Sequence, residues 1–275
     1  MTGFRMIMCA PNGARRTKDD HEAVPISVEE TIETCISAVA AGANALHLHV
    51  RDENGNHVLD AGRYKELLQG LQERVPHIPC QITTEAVGIY SPQEQADVVA
   101  AVMPEAVSVS IAEMSQDMDV AKRFYAFAAE ADIAVQHILY SPQELLNLAR
   151  LHEDGIVPNG YGSHLFVLGR YSEGQQSSPL DLLDFLKVKR EGRRLADTGP
   201  FTVCAFGQGE TACLVAAMTL GGHARVGFEN SLWHANGRVA RDNAERVASV
   251  ADIRQRLGFD VQPDRDAVLA LLGRP

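Results

Sequence analysis

Ala45-Leu46-His47-Leu48-His49-Val50-Arg51-Asp52 is an apolar run of strand length that carries two imidazoles two residues apart. Side chains alternate faces along a strand, so the pattern points His47 and His49 one way and Leu46, Leu48 and Val50 the other. Two imidazoles on one side of a rigid strand supply half of a tetrahedral zinc shell. A third protein ligand with one open position makes such a site catalytic rather than structural. An HxH pair also occurs in ordinary strand cores, so its meaning rests on what the rest of the chain brings beside it.

Outward from that strand, short apolar runs alternate with helical patterns. Upstream, Phe4 to Ala10 reads as a strand stopped by Pro11-Asn12-Gly13, and Ser27-Val28-Glu29-Glu30 opens a helix that ends near Gly42. Downstream, the turn Asn54-Gly55 precedes a helix from about Asp60 to Arg74, with Tyr64, Leu67, Leu68 and Leu71 at helical spacing. Strands are then expected at Pro79–Thr84, Ala106–Ser110, Ile133–Tyr140, Leu165–Leu168, Phe201–Phe206 and Ala224–Phe228. Between them lie helices opened by Ser91-Pro92-Gln93-Glu94, by Asp117, by Ser141-Pro142-Gln143-Glu144, by Pro179 and by Thr211; two more start near Asp242 and Asp264. Eight strands each followed by a helix, without a linker or a shift in composition, predict one α/β domain over residues 1–275, a (β/α)8 TIM barrel with extra C-terminal helices. An open dinucleotide-binding sheet fits less well, because Pro11-Asn12-Gly13-Ala14-Arg15 offers one glycine where a glycine-rich turn is needed.

Composition narrows the function classes. Lys+Arg of 25 against Asp+Glu of 36 gives a net charge of −11 over 275 residues, which favours neither nucleic acid nor an anionic membrane surface as a partner. Five cysteines without CxxC spacing (Cys9, Cys35, Cys80, Cys204 and Cys213) read as reduced core residues. No stretch approaches 18 uninterrupted apolar residues, and the N-terminal run is too short for a signal segment; a cytoplasmic protein is expected.

In a barrel the chemistry sits at the carboxyl ends of the strands. Those ends bring His47 and His49 together with Thr83, Thr84 and Glu85, with Ser108, Ser110 and Glu113, and with Arg225, Gly227 and Glu229. Period two puts Arg225 and Glu229 on one face of the last strand, making Glu229 the natural third ligand and Arg225 a fork for a substrate carboxylate. Without the two histidines, Arg225 would read instead as a structural ion-pair partner of Glu229 or Asp52. Asp52 is also a candidate to orient the histidines from behind. The basic run Lys187, Lys189, Arg190, Arg193 and Arg194 reads as a solvated helix end rather than a phosphate site.

Gly42-Ala43 before HLHVRD, Phe166-Val167-Leu168-Gly169, Gly221-Gly222-His223-Ala224-Arg225-Val226-Gly227-Phe228-Glu229-Asn230 and the following Asp242-Asn243-Ala244 together resemble the β-keto acid cleavage enzyme family over nearly the whole chain. The resemblance implies a zinc-dependent TIM barrel that takes a small-molecule β-keto acid and acetyl-CoA and yields acetoacetate and a new CoA thioester. It also implies a homo-oligomer, commonly a tetramer. Carried over by position, His47, His49 and Glu229 match the zinc ligands, Arg225 the substrate-carboxylate arginine, and Thr83 and Ser108 strand-end hydroxyls. Zinc would polarise the keto oxygen, and cleavage of the adduct formed with acetyl-CoA then needs a base.

The chain departs from the family pattern where that base stands. Asn230 occupies the position of its usual Asp, Arg15 that of a Glu, and Glu85-Ala86 that of a glycine pair; Gln136 is the nearest counterpart of a missing carboxylate and a candidate substrate contact. An amide cannot take a proton at neutral pH, so Glu85, on the same face as Thr83, is the expected replacement base, with Glu113 second. Arg15 in place of a carboxylate predicts an anionic, dicarboxylic β-keto acid. Two other functions fit the same residues: a different metal-dependent lyase or hydrolase with Glu85, Glu113 or Glu210 as base, and a metabolite-binding homologue that has lost its base.

Overall fold

The computed structural model describes residues 3–191, 199–259, 261 and 263–274. Among these described residues, ten strands run in chain order as β1 Ile7–Cys9, β2 Ala45–Leu48, β3 Val50–Arg51, β4 His57–Val58, β5 Cys80–Thr83, β6 Ala106–Ser110, β7 Ala134–Leu139, β8 Ser163–Leu168, β9 Phe201–Ala205 and β10 His223–Val226. Eight of them close a parallel barrel in the order β1-β10-β9-β8-β7-β6-β5-β2, and β3 and β4 form a small antiparallel hairpin beside its mouth. Parallel neighbours need a crossover, and helices supply it: α1 Val28–Ala40, α2 Ala61–Arg74, α3 Pro92–Val102, α5 Met118–Glu130 after the single turn α4 Ile111–Met114, α6 Pro142–Glu153, α7 Asp181–Glu191 and α8 Glu210–Thr219, while α9 Asn243–Arg256 follows the last strand. The (β/α)8 architecture expected from the alternation is the one observed.

Local sequence fixes the helix starts. Ser27 and Ser91 form reciprocal capping boxes with Glu30 and Glu94, and Asp60, Asp117, Ser141, Asp242 and Asp264 each accept a backbone N–H of the first turn. Caps of this kind contribute about 1 kcal/mol each. Strand pleating then divides the side chains: Ile7, Cys9, Leu46 and Leu48 face the helices in the main core, whereas Met6, Met8, Ala45, Ala106 and Ala134 point into the barrel. The last helix, α10 Arg265–Leu271, brings Val268, Leu269 and Leu272 against those inward residues and closes the end opposite the mouth. The extra C-terminal helix is thus the floor of the barrel.

The strands are shorter than the apolar runs suggest, and the last one ends for a specific reason. Gly227 at φ +146° turns the chain out of the sheet where an added Cβ would lie 2.3 Å from the Ala10 carbonyl oxygen. Only glycine permits that approach. The turn throws Glu229 over the mouth. The basic run ends at the opposite side of the barrel: Lys189 donates to the Gly199 carbonyl just before β9 at 2.9 Å, and Arg193 and Arg194 lie outside the described residues. All five cysteines are free and buried, and no helix among the described residues is long and apolar enough to cross a membrane.

Candidate active site

At the carboxyl ends of the strands, His47 and His49 project inward from β2 and its end, with their Nε2 atoms 3.1 Å apart. Glu229 reaches across from the loop after β10 and sets Oε2 at 3.5 Å from each of those nitrogens. The closed barrel makes β10 and β2 the two neighbours of β1, which is why residues 180 positions apart converge. All three ligand-type atoms lie within 4.8 Å of one another, the spacing of groups that share one ion. Glu229 Oε2 and His49 Nδ1 are buried without a hydrogen-bond partner among the described residues, and a buried carboxylate oxygen left so is costly. The donor set and the unpartnered oxygen together fit a divalent cation.

Charge states suit that role. Burial, reinforced by the Arg225 guanidinium, holds the His47 pKa well below the usual imidazole range, so the ring is neutral and able to ligate. Burial alone would raise the Glu229 pKa, but the Arg225 guanidinium outweighs it and holds the carboxyl well below its usual range, so it is ionised. Arg225 Nη2 donates to Glu229 Oε1 at 2.8 Å and to Cys204 Sγ at 3.4 Å, leaving its buried Nε unpartnered among the described residues. The ion pair with Glu229 therefore exists, and the guanidinium still has donors for another group.

These residues line a cavity of about 190 Å³. One wall carries His47, His49, Thr83 and Glu85; the other carries Arg16, Arg170, Phe206 and Arg225. The second wall follows four consecutive barrel strands, β8, β9, β10 and β1, so the guanidiniums of Arg16, Arg170 and Arg225 share one side of the mouth, with Arg15 on the same loop as Arg16 also lining the cavity. Arg170 lies 4.0 Å from Glu85 Oε1 and sits over the Phe206 ring at 5.2 Å. Arg16 is half-buried, with Nε unpartnered among the described residues, and Arg15, expected from the sequence to face substrate, also lines the cavity from the exposed rim. The loop that carries both is pinned: Arg51 donates to the carbonyls of Gly13 and Arg16, and Gly13 at φ +65° leaves room for Glu229, whose Cγ an added Cβ would meet at 2.3 Å.

Other candidates lie elsewhere. Asn230 and Ser108 are fully buried with side chains unpartnered among the described residues, and neither lines the cavity. Gln136 is deeper still, bonded within the barrel. Glu113 receives the Ala86 N–H and Gln95 Nε2 at 3.1 and 2.8 Å and holds the loop after β5 from behind. Glu210 is buried against Arg246 behind β10. Asp52 accepts the N–H groups of Asn54 and Asn56 in the hairpin turn, so it shapes β3–β4 and leaves the histidines to other partners. The partner of His47 is Gln81, whose Oε1 accepts from Nδ1 at 2.8 Å. Sequence reading passed over Gln81, Arg16 and Arg170, although period two puts Gln81 on the Thr83 face and Arg170 directly follows Gly169 at a strand end.

A family model described as beta-keto acid cleavage enzyme matches residues 5–271. The chain is 26% identical over 269 residues to a 3-keto-5-aminohexanoate cleavage enzyme of Fusobacterium nucleatum subsp. nucleatum, covering 95% of each chain. It is 25% identical over 287 residues to a 3-oxoadipate:acetyl-CoA acetyltransferase of Cupriavidus necator, covering 100% of this chain and 96% of that one. Among solved structures, the binary complex of ObcA with oxaloacetate matches with a TM-score of 0.74 at 16% identity over 91% of this chain and 67% of that chain, a likeness of fold.

Proposed function

The chain belongs to the beta-keto acid cleavage enzyme family, and from that membership we propose that it exchanges acyl groups between a β-keto acid and acetyl-CoA, releasing acetoacetate and a new CoA thioester. The observation that carries the proposal is the convergence of His47, His49 and Glu229 at the mouth, with an unpartnered carboxylate oxygen facing two buried ring nitrogens. We assign these three residues as ligands of one zinc ion. When bound, that ion supplies Lewis acidity toward a keto oxygen.

The chain's own residues do the rest. Arg225, anchored by Glu229, offers its remaining N–H groups to the carboxylate of the β-keto acid, a planar fork against a planar acceptor. The carbon that loses a proton during the exchange needs a base in the cavity. Asn230 is an amide and buried away from it, whereas Glu85 lines it, so Glu85 takes that role. Thr83 Oγ1 accepts the Glu85 N–H at 3.0 Å and fixes the backbone from which the carboxylate projects. Ser108, on β6, contributes its backbone carbonyl, which accepts from Thr84 N at 3.3 Å and Thr84 Oγ1 at 3.0 Å just beyond β5.

The wall of Arg16, Arg170 and Arg225 supports an anionic substrate with a second carboxylate, Arg225 holding one end and Arg16 with Arg170 the other. Arg15, at the rim, adds to the same field. This matches the dicarboxylic substrate named for one relative better than the amino-substituted one named for the other. The working protein is read as one barrel domain, cytoplasmic and assembled as a homotetramer, which light scattering of the purified protein tests directly.

The test is incubation with acetyl-CoA and cationic, neutral and dicarboxylic β-keto acids, with acetoacetate as the readout. Acetoacetate formed only when both substrates are present supports the assignment. Turnover independent of acetyl-CoA points to a different metal lyase or hydrolase; thermal stabilisation by a β-keto acid without any turnover points to a binding protein.

A further inference from the structure

Beneath the cavity a chain of side-chain hydrogen bonds crosses the barrel interior. His47 Nδ1 meets Gln81 Oε1 at 2.8 Å; Gln81 Nε2 donates to Gln136 Oε1 at 3.4 Å; Gln136 Nε2 donates to Thr202 Oγ1 at 3.3 Å and Ser163 Oγ at 3.4 Å. The chain begins on β2 and ends on β8 and β9, and every residue in it is buried, none more than 1% exposed. Its course is sterically possible because β6 contributes only small inward residues, Ala106 and Ser108, between the two glutamines.

We propose that Gln81 and Gln136 are positioning residues that fix the tautomer of His47 and thereby its affinity for the ion. The reasoning follows the direction of the bonds. An amide oxygen can only accept, so Gln81 Oε1 requires the proton of neutral His47 to sit on Nδ1, which leaves the Nε2 lone pair facing Glu229 and His49. The Gln81 amide is held in that orientation because its NH₂ is taken by Gln136 Oε1, and the Gln136 amide in turn faces two hydroxyls. Flipping Gln81 alone would set an N–H donor against Nδ1 and leave two carbonyl oxygens face to face in a buried layer; because the Thr202 and Ser163 hydroxyls can donate as well as accept, the opposite order requires both amides to flip together and His47 to carry its proton on Nε2. The order of the chain therefore reaches from the far wall of the barrel to one metal ligand. His49 has no equivalent: its Nδ1 is unpartnered among the described residues, so His47 is the imidazole the scaffold orients. Partners of this kind change metal affinity by about 10–100-fold when removed.

The inference rests on the metal role proposed for His47, and the experiment separates the two. Zinc affinity is measured by competition with a chromophoric chelator for wild type, Gln81→Leu, Gln81→Glu and Gln136→Leu, and the imidazole tautomers of the metal-free protein are read by long-range ¹H–¹⁵N NMR. Wild type that binds no zinc removes the metal role alone, because the tautomer is still read without metal. The proposal expects the Nδ1–H tautomer at His47 in wild type and a mixture in Gln81→Leu. It expects zinc binding at least about tenfold weaker in Gln81→Leu, restored by Gln81→Glu, and weaker by severalfold in Gln136→Leu, which touches no ligand. An Nε2–H tautomer at His47 in wild type, or Gln81→Leu within twofold of wild-type affinity, overturns it. Should Gln81→Leu fail to fold, the wild-type tautomer and the Gln136→Leu affinity decide alone, and an unaltered affinity in Gln136→Leu removes the far half of the chain.

Discussion

Arg225 and Glu229 stand four residues apart, one at the end of β10 and one on the loop beyond it, and Nη2 of the first donates to Oε1 of the second at 2.8 Å while Oε2 of the second faces two imidazoles. One carboxylate thus ties the guanidinium to the two imidazoles. Arg225→Lys keeps the charge but loses the fork, and a lysine that pairs with Glu229 has no fixed donors left for substrate. The expected loss in kcat/KM is at least tenfold, about 1.4 kcal/mol. Steady-state kinetics within threefold of wild type would falsify the assignment.

Metal content follows from the same geometry. Zinc is expected at one per chain in wild type and to be lost in a His47→Ala, His49→Ala double variant, by elemental analysis of protein prepared without a metal-binding tag. Added zinc at a hundred times its dissociation constant should stabilise the metal-free wild type by about 2.7 kcal/mol, seen as a rise in Tm, and leave the double variant unmoved. Equal zinc in both proteins would move the ion elsewhere.

Gly13 holds the loop after β1 against Glu229. Gly13→Ala places a methyl group where the Glu229 Cγ lies, at a backbone φ of +65° that alanine tolerates poorly. Destabilisation of about 1–3 kcal/mol and weaker zinc binding are expected together. Denaturant titration and chelator competition check both; loss of stability with unaltered zinc affinity would show that the loop does not set the position of Glu229.

Substrate charge is the most direct reading of the arginine wall. Wild type is expected to prefer a dicarboxylic β-keto acid over an amino-substituted one. Arg16→Glu and Arg170→Glu should each cut that preference by at least about tenfold, and Arg15→Glu, at the exposed rim, by less. A larger effect at Arg15 than at Arg16 would return the recognition to the rim.

The base is tested by removing only its proton affinity. Glu85→Gln keeps the size of the side chain, and a lost general base lowers kcat by about 100-fold or more. Glu113→Gln should cost far less, because Glu113 serves the Ala86 N–H and Gln95 from behind the loop. Full activity in Glu85→Gln would leave the proton to another group.

Sequence alone determined the barrel and the identity of the metal-ligand candidates. Capping residues such as Ser27, Asp60 and Ser91 mark helix starts locally, and the pleat of a strand is enough to put His47 and His49 on one face and Leu46 and Leu48 on the other, whatever lies around them. The tertiary structure decided everything that depends on where loops go and how far inward a residue sits. Period two assigns Gln81 and Gln136 to the inner face but carries no depth, so it could not tell a cavity wall from the bonded layer beneath it. Nor could it distinguish Arg15 from Arg16, because the loop after β1 is set by Arg51 gripping its carbonyls and by Gly13 lying on Glu229, contacts that exist only once β1, β2 and β10 are neighbours. Asp52 was close to the histidines in sequence and went to the hairpin turn, where backbone N–H groups claim its carboxylate.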